Sequence, residues 1–108
     1  MTISIVIVNW NAGDQLRACI ASIAQTGCGM SQSCEVIVID NASTDDSVRE
    51  IDQSGLSVRL IANAANRGFA AACNQGAQEA RGDYLLFLNP DTCLFADSLT
   101  QPLEFMER

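Results

Sequence analysis

Four short runs of branched apolar residues, each ending abruptly on asparagine or aspartate, govern what this chain can become. Ile3-Ser-Ile-Val-Ile-Val8 leads into Asn9-Trp10-Asn11-Ala12-Gly13, and Glu35-Val-Ile-Val-Ile-Asp40 into Asn41. Ser57-Val-Arg-Leu-Ile-Ala62 leads into Asn63 to Arg67, and Tyr84-Leu-Leu-Phe-Leu88 into Asn89-Pro90-Asp91. A short, nearly continuous β-branched run is how a parallel strand covered on both faces reads. Between the runs the period changes. Leu16, Cys19, Ile20 and Ile23 recur at helical spacing, with Gly27 as the stop. Ser43 and Asp46 approximate a capping box, so a helix is expected from Ser43 to Gly55 with Val48 and Ile51 inward. Gly68 to Arg81 reads as an Ala-rich helix that packs through Phe69, Ala72, Cys73, Ala77 and Ala80, with Gly82 at its C′ position. Leu99, Leu103 and Met106 mark a last helix that starts near Thr100, because Pro102 is tolerated only in a first turn. Strands alternating with helical crossovers define an α/β fold with a parallel sheet and right-handed connections. At 108 residues the chain is one domain, spanning 1–108.

Charge narrows the function. Thirteen acidic residues against six basic ones leave a net charge of −7, and every basic residue is Arg. A nucleic-acid-binding module or a polybasic membrane anchor needs a basic face, so both are excluded. Without His there is no His-containing zinc site and no Ser-His-Asp or Cys-His catalysis; without Lys there is no Schiff base. No apolar run approaches the ~20 residues that span a bilayer. The N-terminus lacks the basic region of a signal peptide, and a cytoplasmic location is expected. The cysteines at 19, 28, 34, 73 and 93 form no C-x-x-C pair and no disulfide framework. Cys19 and Cys73 read as small core residues, while Cys28 and Cys34 flank one loop and bridge only if oxidised.

The polar residues collect in one place. Asn9, Asn11, Asp40, Asn41, Asn63, Asn66, Arg67, Asn89 and Asp91 all follow strands, at the carboxyl edge of a parallel sheet, where open α/β folds bind ligands. Asn and Asp are also common turn residues, but four apolar strands each delivering them to one edge favour a binding site. A dinucleotide site wants G-x-G-x-x-G after the first strand; the turn here holds only Gly13. A phosphoacceptor domain wants an acid pair there and a Lys, and has neither. What is left is a crevice with few basic groups. Such a crevice holds a diphosphate by recruiting a divalent cation, for which Asp91 is the natural oxygen ligand.

Three blocks in order, SIVIVNWNAGDQLRACIASI, EVIVIDNASTDDS and NRGFAAACNQGAQEARGDYLLFLNPDT, resemble the family 2 glycosyltransferases, and among them the rhamnosyltransferase-like branch that assembles bacterial surface polysaccharides. The resemblance runs from Ile3 to about Asp97. It implies the A-type glycosyltransferase fold, whose donor half is a Rossmann-like three-layer α/β/α unit with strand order 3-2-1-4. It implies that Val8, Asn9, Trp10 and Asn11 line a base and ribose pocket. Asp40 would bond a pyrimidine base, with Asn41 and Ser43 shaping that loop. Arg67 and Gly68 would lie beside the nucleotide, where a helix N-terminus favours anions. Asn89-Pro90-Asp91 falls on the family's D-x-D motif: Asp91 would bind Mg²⁺ or Mn²⁺ bridging the two phosphates, and Asn89 would sit near the ribose. The implied partner is a UDP- or dTDP-linked sugar.

Two departures accompany the resemblance. Asn89 replaces the first acid of D-x-D, so one carboxylate remains. The chain also has the length of the donor half alone. The acceptor half and its general base are missing, so the isolated chain is expected to transfer no sugar. The full-length enzyme would glycosylate a saccharide or lipid-linked acceptor, peripheral at the inner membrane face. The competing reading is a nucleotide-sugar sensor without chemistry. A truncated chain would leave the edge of Tyr84–Leu88 and the face of Leu99, Leu103 and Met106 uncovered, and self-association is expected from that.

Overall fold

The computed structural model describes residues 2–26, 33–49, 51 and 57–91. Within them lie β1 (Thr2–Asn9), α1 (Asp14–Gln25), β2 (Ser33–Asp40), β3 (Val58–Ala62), α2 (Phe69–Glu79) and β4 (Tyr84–Leu88). All neighbouring strands are parallel, in the order β3-β2-β1-β4. The register pairs Asn9 with Asp40 and Asp40 with Ala62, so the polar residues that end the two central strands arrive side by side.

The chain leaves β1 toward β2 and leaves β3 in the opposite direction toward β4. Right-handed crossovers then place the two helices on opposite faces. On one face Leu16, Cys19, Ile20 and Ile23 of α1 pack on Ile3, Ile5, Ile7, Val36 and Val38. On the other, Ala72 of α2 packs on Val6, Ile37 and Ile39. The sheet is therefore the middle of an α/β/α sandwich. Its central strands are buried and its outer strands, β3 and β4, half-exposed. Leu85 and Phe87 of β4 are exposed among the described residues.

α2 approaches the sheet closely because its inward residues are small. A Cβ on Gly76 would stand 2.4 Å from Cγ1 of Val6. Ala72 and Gly76 are buried, and Cys73, Ala77 and Ala80 half-buried. Phe69 was expected on this packed side and is 59% exposed, because the helix meets the sheet only from Ala72 onward. Gly82 does not occupy a helix C′ position. The helix ends at Ala80 in extended backbone, and Gly82 lies against β1, where its amide donates to Ser4 Oγ.

The helix expected from Ser43 does not form across residues 43–49, which are bends and turns. Local polar side chains outcompete it. Asp45 accepts from the amide and hydroxyl of Ser47, and the Ser43 hydroxyl is turned back onto Asp40 instead of capping. Asp46 meets Arg49 at 3.6 Å instead of closing a capping box. Ile51 is buried and Val48 packs beside it, as their spacing implies. Cys19 is a buried thiol and Cys73 a half-buried one whose pKa burial pushes up. Cys34 is disulfide-bonded, against the expectation of reduced cysteines, with a partner outside the described residues. The expected last helix, with Leu99, Leu103 and Met106, also lies outside them, as do Gly27 and Gly55. No described helix is long and apolar enough to cross a membrane.

Candidate functional site

The carboxyl edge of the sheet carries a buried polar cluster. Asn9 is fully buried, and its Nδ2 donates to Asp40 Oδ1 at 2.9 Å and to Ser47 Oγ at 2.9 Å, with Ser43 Oγ at 3.2 Å. The Ser43 hydroxyl donates to Asp40 Oδ1 at 2.5 Å, and the Ser43 amide to Asp40 Oδ2 at 3.2 Å. Ser47 donates its hydroxyl proton to Asp45. Every hydroxyl proton in the cluster is thus spent on a carboxylate, and Asn9 Oδ1 is buried with no hydrogen-bond partner among the described residues. Leaving such an acceptor unpaired costs about 1–3 kcal/mol. Beside it, Ala42 holds φ at 62°, a left-handed conformation that a residue with a Cβ seldom adopts.

Asn11 and Asn41 act on the loops. Asn11 Oδ1 accepts the Thr44 and Asp45 amides, and its own amide donates to Ser43 Oγ. Buried Asn41 receives the Asn63 side chain at 3.1 Å and the Arg67 amide at 3.4 Å on Oδ1, and donates from Nδ2 to the Gly68 carbonyl. The Ser47 hydroxyl bond outweighs slight desolvation and holds the exposed Asp45 carboxyl below the usual aspartate range; the Ser47 and Gly13 amides add to this.

Gly68 is the N-cap of α2, at φ 85°, and no side chain caps the helix. The first-turn amides therefore face the crevice edge without an internal acceptor. Arg67, Trp10, Asn89 and Asp91 are exposed around this edge, Trp10 by 58%. Among the described residues, no three Cys, Asp or Glu side chains cluster to hold a metal ion.

The structure joins Asn9, Asp40 and Ser43 directly, attaches Asn11 to Ser43, and links Asn41 to Arg67 and Gly68. It does not bring Val8 to them: strand alternation turns Val8 to the opposite face, against the core under α2. The Asn89 carbonyl lies 3.8 Å from Sγ of the core residue Cys19 on α1, not against this cluster. Sequence reasoning missed Ser47 and Gln75. Ser47 was hidden by the helix expected there, and Gln75 sits in the middle of a helix, away from any strand end.

Polar loops converge on the carboxyl edge of a parallel α/β sheet, beside a helix N-terminus that no side chain caps, which is where open α/β folds bind ligands. The chain belongs to glycosyl transferase family 2, whose model matches residues 4–108. It is 36% identical over 107 residues to an uncharacterized glycosyltransferase of Haemophilus influenzae, covering 96% of this chain and 42% of the relative. Among solved structures it is similar to S. aureus TarS 1–349 in complex with UDP-GlcNAc, with a TM-score of 0.86 at 20% identity, covering 99% of this chain and 31% of that one. It is also similar to a mannosyltransferase from Pyrobaculum calidifontis in complex with GDP-Man and Mn²⁺, with a TM-score of 0.85 at 19% identity over 98% of this chain and 32% of the other. These likenesses establish the A-type glycosyltransferase fold. The chain spans less than half the length of the curated relatives it matches.

Proposed function

We propose that residues 1–108 are the donor half of a glycosyltransferase. They bind a nucleotide-diphosphate sugar at the carboxyl edge, and the full-length protein transfers the sugar to a saccharide or lipid-linked acceptor in cell-surface polysaccharide synthesis. The observation that carries this reading is the Asn9–Asp40–Ser43–Ser47 cluster, buried at the ends of the central strands in a family 2 chain. The complexes of TarS with UDP-GlcNAc and of the mannosyltransferase with GDP-Man support it.

Asp40 Oδ2 accepts the Ser43 amide and keeps a lone pair for the ring N–H of a uracil or thymine base. Trp10 offers an exposed ring face for stacking on that base. Asn11 and Asn41 hold the loops of the pocket. Arg67 and the first-turn amides of α2, opened by Gly68, favour the diphosphate. Asn89 and Asp91 close the edge after β4.

The donor set suits Mg²⁺ or Mn²⁺ in one form. A single exposed carboxylate, Asp91, with neutral Asn89 two residues before it, would hold such an ion together with substrate phosphates, as magnesium sites commonly do. When bound, the ion supplies the positive charge that an acidic chain lacks and stabilises the departing diphosphate. In transfer, the acceptor oxygen bonds the anomeric carbon as the bond to the diphosphate breaks. The diphosphate leaves with the electron pair, and the acceptor's proton goes to a general base of the acceptor half. Calorimetric titration with UDP-, dTDP- and GDP-linked sugars tests the reading. Saturable binding of a UDP or dTDP compound is expected; a chain that binds none of the three overturns it.

A further inference from the structure

We propose that Gln75 is a positioning residue, which sets the geometry of the Arg67–Gly68 entrance to α2 through a directional relay of side-chain amides. Gln75 lies in the middle of α2, half-buried, and its side-chain amide hydrogen-bonds Asn63 at the end of β3. The two amides bond reciprocally. Asn63 Nδ2 donates to Gln75 Oε1 at 3.0 Å, and Gln75 Nε2 donates to Asn63 Oδ1 at 2.9 Å. The second proton of Asn63 Nδ2 goes to Asn41 Oδ1 at 3.1 Å. Asn41 passes the order on: its Nδ2 donates to the Gly68 carbonyl at 3.2 Å, and its Oδ1 also faces the Arg67 amide.

The relay has a sense that cannot be reversed. An isolated amide can turn over and exchange its oxygen for its nitrogen, but the far end here is backbone. The Gly68 carbonyl only accepts, and the Arg67 amide only donates. Their polarity fixes Asn41, which fixes Asn63, which requires that position 75 present an acceptor and a donor together. Among the uncharged residues only Gln, or Asn with a shorter reach, does so on the two end atoms of one planar group, as the reciprocal pair requires. Gly68 is also the N-cap whose carbonyl receives the Ala72 amide. The relay therefore ties the middle of α2, the end of β3 and the end of β2 to the residue that aims the first-turn amides. This rests on the donor reading only in saying what those amides aim at.

Gln75→Glu tests the sense of the relay. A carboxylate keeps the acceptor and sets a second acceptor against Asn63 Oδ1, whereas a protonated carboxyl restores the donor. Facing that oxygen raises the carboxyl above its unperturbed pKa of about 4.3, so that acidification from pH 8 to pH 5 moves it toward the neutral form. The charged groups on the flanking elements are Glu79 and Arg59, paired with each other, Arg67, and Asp40. Wild-type chain at the same two pH values controls for their titration. In the ligand-free chain, the Arg67 and Gly68 amide resonances of Gln75→Glu should depart from wild type at pH 8 and return toward it at pH 5. Gln75→Met, which lacks both functions, should depart at both. UDP-glucose, whose diphosphate carries no proton to lose in this range, should bind Gln75→Glu about tenfold more weakly than wild type at pH 8 and within about twofold at pH 5. Resonances that do not move at pH 8, or that move equally at both values, overturn the relay. A wild-type chain that does not bind UDP-glucose or the other nucleotide sugars counts against the donor reading, while the resonances still decide the relay.

Discussion

The two ends of the sheet are equally polar and are built for different ends. At the amino edge the polar groups are satisfied within the chain. Thr2 and Asp83 exchange bonds, the Ser4 hydroxyl donates to Glu35 at 2.6 Å, and the Arg81 and Gly82 amides close on Glu35 and Ser4. Arg59 pairs with Glu79 nearby. Partial burial would raise the Glu35 carboxyl, but the Ser4 hydroxyl, the Arg81 amide and the charges of Arg59 and Arg81 outweigh it and hold the group below the usual glutamate range. At the carboxyl edge the bonds run among side-chain amides, serine hydroxyls and the carboxylates of Asp40 and Asp45. They leave a buried acceptor unpaired at Asn9 and a left-handed alanine at position 42. One edge relaxes the fold and the other strains it, and strain retained against stability is characteristic of functional sites.

This contrast can be broken from either side. The largest effect on stability is expected from Gly82→Ala. The added Cβ would lie 2.6 Å from Ser4 Oγ and 2.7 Å from the Ser4 backbone nitrogen, which cannot move aside as a side chain tip could. Urea denaturation should show a loss of about 2–3 kcal/mol, with nucleotide affinity of the folded fraction unchanged. Asp40→Ala should lose about 2 kcal/mol, because it removes the acceptor of Asn9 Nδ2 and of the Ser43 hydroxyl, and should weaken nucleoside binding with or without metal. An Asp40→Ala chain with unaltered nucleoside affinity would remove Asp40 from the site.

Glu35→Gln should act least, by about 1 kcal/mol or less for a partly solvated carboxylate, and only in its pH dependence. A carboxyl held low in the folded state contributes stability above its unfolded pKa of about 4.3, and that stability disappears as pH falls through the folded value. The variant should therefore lose less stability than wild type on acidification below about pH 5, measured by thermal melts. Equal acid sensitivity would show that Glu35 is not clamped.

Most of the fold was legible because it rests on period. β4 matches its apolar run residue for residue, and Leu16, Cys19, Ile20 and Ile23 all face the core. What failed was local. Ser43, Asp45 and Asp46 carry helix-start chemistry, yet their side chains bond Asp40, Ser47 and Arg49 instead, a tertiary choice that composition does not record. The helical face was misjudged at Phe69, where position along the helix matters as well as period. For the site, the edge was readable and the division of labour was not. Asn11 and Asn41 follow strands as Asp40 does, but the structure spends their side chains on loops. Gln75 gave no signal, since a glutamine within a helix is normally solvent-facing.

The central claim is that the carboxyl edge is a donor site in which a metal ion replaces missing basic groups. Calorimetry of UDP binding to wild type and to Asp91→Ala, with and without Mn²⁺, tests it most directly. Asp91 is exposed, so its replacement should change stability by less than about 0.5 kcal/mol. The account predicts that Mn²⁺ strengthens UDP binding to wild type by about tenfold or more, and that Asp91→Ala loses most of this gain. UDP binding that is indifferent to Mn²⁺, or a gain that Asp91→Ala keeps in full, would contradict it.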